Sequence, residues 1–195
     1  MKKERYEWIH SWCDETSNSE LPRVLLVGDS ITYGYQEQVR ELLKGVAYVD
    51  YISTSYAIDS PLYDCLIKNF YFDSKYDVLH FNNGIHGAHM NVRTYKTRLA
   101  KLLKKLDCQK TIIANSTFCY EKGNAKPNTI MKFLAKRNCA VQEVANELEY
   151  QVNDLYSLSK TIPLKKRKDD GFHYTEEGSK IFALQVAEKI KEILR

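Results

Sequence analysis

The sequence predicts an α/β fold on a mainly parallel sheet. Short β-rich runs alternate with longer stretches of helical period, no linker or repeat interrupts them, and 195 residues are most simply one domain. Residues 1–22 precede the first strong run and are expected to be a helical extension carrying Trp8 and Trp12, which leaves the domain to 23–195. "RVLLVG" at 23–28 is the first strand of the pattern, and a helical stretch follows around 35–44. "VAYVDYIS" at 46–53, "YDVLHFNN" at 76–83, "KTIIANS" at 110–116 and the weaker "QVNDLY" at 151–156 complete five strands. Helical patterns fill 60–70, 92–106 and 127–149 between them. The last helix, about 176–194, carries a stripe of Ile181, Phe182, Leu184, Gln185, Val186, Ile190 and Ile193, with Thr175 as a hydroxyl cap before two glutamates.

Bulk properties narrow the function. A chain of this length buries roughly 70% of its unfolded surface and needs no staples. Its five cysteines, Cys13, Cys65, Cys108, Cys119 and Cys139, form no CxxC pair and read as reduced, mostly buried thiols. The first fifteen residues hold four acids and no apolar core, so a signal peptide is not expected, and no apolar run approaches the ~20 residues of a membrane span. The expectation is a cytoplasmic protein without a membrane partner. A net charge of +4, with lysines spread along the chain, does not point to nucleic acid; "KKRK" at 165–168 reads as a solvated loop.

The chemistry lies in three short stretches. "VLLVGDSITYG" runs from a strand into Gly28, Asp29 and Ser30, either as a helix cap or as a nucleophile. A serine nucleophile needs a base held in the right tautomer by a third group. Of the five histidines, His173 stands out: Asp170 precedes it by three residues and Gly171 permits a tight bend. In a doubly wound sheet ligands gather beyond the carboxyl ends of the strands, where Ser30, "NNGIHG" and "STFCY" all fall. There is no G-x-S-x-G, and "SLSK" at 157–160 lacks the partners of its own motif. His80, His86 and His89 fall within ten residues, but H-x-x-H without carboxylates at ligand spacing is weak for zinc, and His80 reads as a core histidine. No metal or cofactor is expected.

Together, "GDSIT" after the first strand, a glycine-centred segment after the third and "DGFH" before the last helix resemble the SGNH/GDSL hydrolase family over residues 23–195. The resemblance implies a three-layer α/β/α sandwich with a five-stranded parallel sheet, of flavodoxin-like type. It implies Ser30 as nucleophile, His173 as base and Asp170 as its orienter, with the Ser30 N–H in the oxyanion hole. Two blocks depart from the family pattern. "STSYAID" has no glycine, so the backbone of Ser55 or Tyr56 is the expected second donor. Where the family has G-x-N-D this chain has Gly84, Ile85, His86 and Gly87, which makes His86, or Asn82 and Asn83 just upstream, the third.

The expected activity is hydrolysis of a short-chain acyl ester, an O-acetyl group on a carbohydrate, with Tyr33, Tyr35, Tyr56 and Tyr120 bordering the cleft. The alternatives are a lysophospholipase or thioesterase of the same family and a non-catalytic ligand-binding protein on the same fold.

Overall fold

The computed structural model describes residue 3 and residues 5–195. Six strands, β1 Ile9–Trp12, β2 Arg23–Gly28, β3 Tyr48–Thr54, β4 Val78–Phe81, β5 Thr111–Ala114 and β6 Gln151–Asn153, form one sheet in the order β1-β3-β2-β4-β5-β6. The strands β2 to β6 are parallel, as expected, and β1 adds an antiparallel edge against β3. Val24, Leu25, Leu26 and Val27 are all fully buried, which requires helices on both faces.

Those helices are α1 Ser30–Leu42, α2 Pro61–Asp73, α3 Val92–Leu106, α4 Met131–Leu148, α5 Leu155–Thr161 and α6 Glu176–Leu194. Alternate strand residues divide the core. Leu25, Val27, Leu79 and Phe81 pack with α2, α3 and α4, whereas Val24, Leu26 and Val78 pack with α1 and α6. The result is a three-layer α/β/α sandwich. In α6 the Thr175 hydroxyl accepts the Gly178 N–H (3.2 Å), and the buried stripe runs through Phe182, Ala183, Val186, Ala187 and Ile190. Leu184 faces solvent, two residues round from Phe182.

Three expectations are corrected. Trp8 and Trp12 do not lie on a helix. The segment is extended, so that Trp8, His10 and Trp12 share one face of an edge strand, and Arg40 of α1 stacks over the Trp12 ring. The weak fifth strand stops at Asn153 because Asp154 accepts the Ser157 N–H (3.0 Å) and starts α5. Only Cys108 and Cys119 are buried; Cys13, Cys65 and Cys139 are exposed, the last two on the outer faces of α2 and α4. No helix among the described residues is long and apolar enough to cross a membrane.

Candidate active site

Gly28 ends β2 at the carboxyl edge of the sheet, and the chain turns at once into α1. A Cβ there would lie 1.9 Å from the Thr32 hydroxyl, so glycine is what lets strand and helix meet this closely. Asp29, buried, caps the helix by accepting the Ile31 N–H (2.9 Å). Ser30 is then the first helical residue, where backbone N–H groups have no partner within the helix. The "GDS" stretch thus holds both answers to its own question: the aspartate is the cap and the serine is left for chemistry.

The loop before α6 brings the other two groups. Gly171 has φ +81°, and a Cβ would meet the Tyr120 carbonyl at 2.2 Å. This bend lets Asp170 Oδ1 accept the backbone N–H groups of Phe172 and His173, each at 2.8 Å. Asp170 Oδ2 accepts from His173 Nδ1 at 2.7 Å, and His173 Nε2 lies 2.9 Å from Ser30 Oγ. A carboxylate only accepts, so the ring proton sits on Nδ1 and Nε2 is free to take the serine proton. Partial burial would raise the Asp170 carboxyl, but the His173 and Phe172 N–H groups and the His173 ring outweigh it, and the group is held below the usual carboxylate range.

Ser30 and His173 open into a cavity of about 630 Å³, also bordered by Trp8, His10, Tyr33 and Glu37. Of the four tyrosines expected at the cleft only Tyr33 borders it. Tyr35, 200° further round α1, is fully buried with its hydroxyl 3.0 Å from that of Thr32. Tyr56 packs on the core, and the Tyr120 ring lies under the Arg167 guanidinium. Arg167 also donates to the Ser159 and Ile162 carbonyls, so "KKRK" is not simply a solvated run; Lys168 reaches the cavity rim.

The expected oxyanion donors fare unequally. The Ser55 N–H donates to the Trp8 carbonyl (3.3 Å), its Oγ accepts the Trp8 N–H (2.9 Å), and the Tyr56 N–H donates to Thr54 Oγ1 (3.2 Å). The N-terminal segment has thus taken up the Ser55 donor, and the end of β3 the Tyr56 donor. Asn82 spends its amide hydrogens on the carbonyls of Ala114 (3.1 Å) and Asn115 (3.3 Å), bracing β4 against β5. The Asn83 carbonyl accepts from Tyr95 Oη in the core, and His86 is half-buried in the same loop, outside the cavity lining. Of the expected backbone donors, the Ser30 N–H is the one in the first turn of α1, at the nucleophile itself.

That loop has a support the sequence did not advertise. Arg137 of α4, fully buried, donates to the carbonyls of Gly84 (3.0 Å), His86 (2.5 Å) and Gly87 (2.7 Å), and its guanidinium lies between the Tyr95 and Phe133 rings. The remaining histidines have separate partners. His80 Nε2 meets Asn153 Nδ2 in the core (3.1 Å) and His89 Nε2 meets Asp59 (2.7 Å). Among the described residues no three metal-ligating side chains come together.

Neither a protein-family model nor a curated protein matches the sequence. Solved structures do. A lipase/acylhydrolase from Enterococcus faecalis is similar over 88% of this chain and 96% of its own, at 19% identity and TM-score 0.71. An acetylxylan esterase from Geobacillus stearothermophilus is similar over 87% and 94%, at 16% identity and TM-score 0.72. The chain therefore has the fold that the resemblance to SGNH hydrolases implied, with one edge strand more than the five expected.

Proposed function

We propose that this chain is a serine esterase. The observation that carries the reading is the unbroken hydrogen-bond chain from Ser30 Oγ through the His173 ring to Asp170, with distances of 2.9 and 2.7 Å, at the floor of an open cavity. Ser30 Oγ attacks the ester carbonyl while His173 Nε2 takes its proton, and Asp170 stabilises the imidazolium through Nδ1–H. Collapse of the tetrahedral intermediate expels the alcohol, which receives the proton from His173. Water, activated by the same imidazole, then attacks the acyl-Ser30 ester and releases the acid.

The acyl group is short and the alcohol is a carbohydrate. Glu37 and Glu176 beside the cavity disfavour the anionic head group of a lysophospholipid, and exposed rings rather than an apolar tunnel meet the substrate. The likeness in fold to an acetylxylan esterase supports the same substrate class. With the second-block N–H groups engaged elsewhere, turnover is slow, since one missing oxyanion donor typically costs about 10²- to 10³-fold.

Hydrolysis of p-nitrophenyl acetate, butyrate and octanoate by the protein and its Ser30→Ala variant tests this. The expected result is activity greatest on acetate and lost in the variant, with fluorophosphonate labelling of Ser30. Equal rates in the two proteins would refute the mechanism, and activity rising with acyl length would move the substrate to long-chain esters.

A further inference from the structure

One wall of the Ser30 cavity is built from groups that ester cleavage does not use. His10 and Tyr33 have ring centroids 4.3 Å apart at 30°; Trp8 lies 5.4 Å from His10 and 6.0 Å from Tyr33. Two of these rings come from the segment leading into and through β1, an edge strand whose four residues are all exposed. Tyr33, on the first turn of α1 beside the nucleophile, is itself 48% exposed. Core packing therefore does not account for the cluster.

Hydrogen-bond acceptors stand beside the rings. Glu37 lies one helical turn beyond Tyr33 on the same face of α1, and Glu176 borders the cavity from the start of α6. Gln38 Nε2 donates to the Glu176 carbonyl (3.3 Å) and ties α1 to the start of α6 at the cavity wall.

We propose that Trp8, His10 and Tyr33 are a platform for the alcohol half of the substrate, a pyranose ring, whose hydroxyls donate to Glu37. The inference rests on the esterase reading and deepens it by naming the residues that hold the alcohol, making the N-terminal segment a substrate-binding element. A pyranose offers an apolar C–H face, which suits the negative face of an aromatic ring, and a rim of O–H donors. A quaternary ammonium alcohol suits rings and carboxylates but brings no O–H or N–H donor for a hydrogen bond to Glu37. A phosphate head group meets two carboxylates with only Lys168 to offset them.

The test compares kcat/KM for methyl xylopyranoside bearing one O-acetyl group with kcat/KM for vinyl acetate, whose alcohol portion is too small to span the rings. The glycoside-to-vinyl ratio should fall roughly tenfold, the loss of one stacked ring, in Trp8→Ala and in Tyr33→Ala. Tyr33 is exposed on a helix, so its variant decides the matter if Trp8→Ala releases β1. A ratio within twofold of the parent in Tyr33→Ala, or a ring variant that loses acetylcholine hydrolysis more than deacetylation of the glycoside, overturns the platform. Ser30→Ala is run in parallel: undiminished hydrolysis of both esters there overturns the esterase reading itself, whereas a Ser30-dependent activity with an unmoved ratio overturns the platform alone.

Discussion

Asp170 divides its two oxygens between the backbone of its own loop and the ring of His173. In Asp170→Asn the side-chain carbonyl can keep the backbone bonds, but the amide N–H then faces Nδ1 and drives the ring proton to Nε2. The base is disabled with the fold intact. The expected loss in kcat is about 10³- to 10⁴-fold with little change in denaturation midpoint, and a loss below tenfold would remove Asp170 from the mechanism. Arg137 acts differently. Burial lowers its guanidinium to about 10 against the opposing pull of Tyr95 and Asp59, so it stays charged at neutral pH, held by three carbonyls and two ring faces. Arg137→Met should cost about 3 kcal/mol in urea unfolding by stranding carbonyls of loop 84–87, and Arg137→Lys should recover little, since an ammonium cannot span the same three acceptors. A cost under about 1 kcal/mol would show the loop to be self-supporting. Asp170 and His173 were legible in the sequence because three residues and a glycine join them; nothing near Arg137 in sequence pointed to a loop about fifty residues away.

At the scale of elements, legibility follows burial. Both α3 and α6 fall where their apolar stripes put them, and β2 matches its run residue for residue, since each buries a patterned face. The strand β1 buries no face, so alternation could not reveal it, and the spacing of Trp8 and Trp12 imitated a helix. What holds the segment is polar. Asp50, fully buried on β3, accepts from Arg23 Nη1 (2.9 Å), the Asp14 N–H (2.8 Å) and Tyr76 Oη (2.8 Å). Arg23 also donates to the carbonyls of Asp14, Glu15 and Asn18. Arg23→Met leaves the Asp50 charge buried with neutral donors only, at a cost of about 3–5 kcal/mol, and unties residues 14–18. Amide hydrogen exchange should then speed up across residues 9–12 well before the parallel strands. Equal protection in both proteins would mean that the strand pairing alone retains β1. The same change should weaken deacetylation of the acetylated glycoside if β1 carries the platform.

For the molecule as a whole, the groups that bind the layers together also set its response to acid. His80 lies on β4 in the α1 and α6 layer, edge-on to the Tyr35 ring. Its Nε2 accepts from Asn153 Nδ2 of β6, and Asn153 Oδ1 accepts from Gln185 Nε2 of α6 (2.7 Å), so one neutral imidazole joins strand, strand and helix. Desolvation pulls its pKa from 6.5 down to about 4. Between those values the unfolded chain holds a proton that the native state refuses. Stability is therefore complete above about pH 6.5 and falls as the pH drops towards 4, by on the order of 3 kcal/mol. The depressed carboxyls of Asp154 and Asp170 act in a separate window, below their ordinary value of 3.8. Urea midpoints at pH 7, 5.5 and 4.5 should show the decline, and His80→Gln, whose amide oxygen can accept from Asn153 without titrating, should flatten it. A variant as acid-sensitive as the parent would assign the loss to other groups.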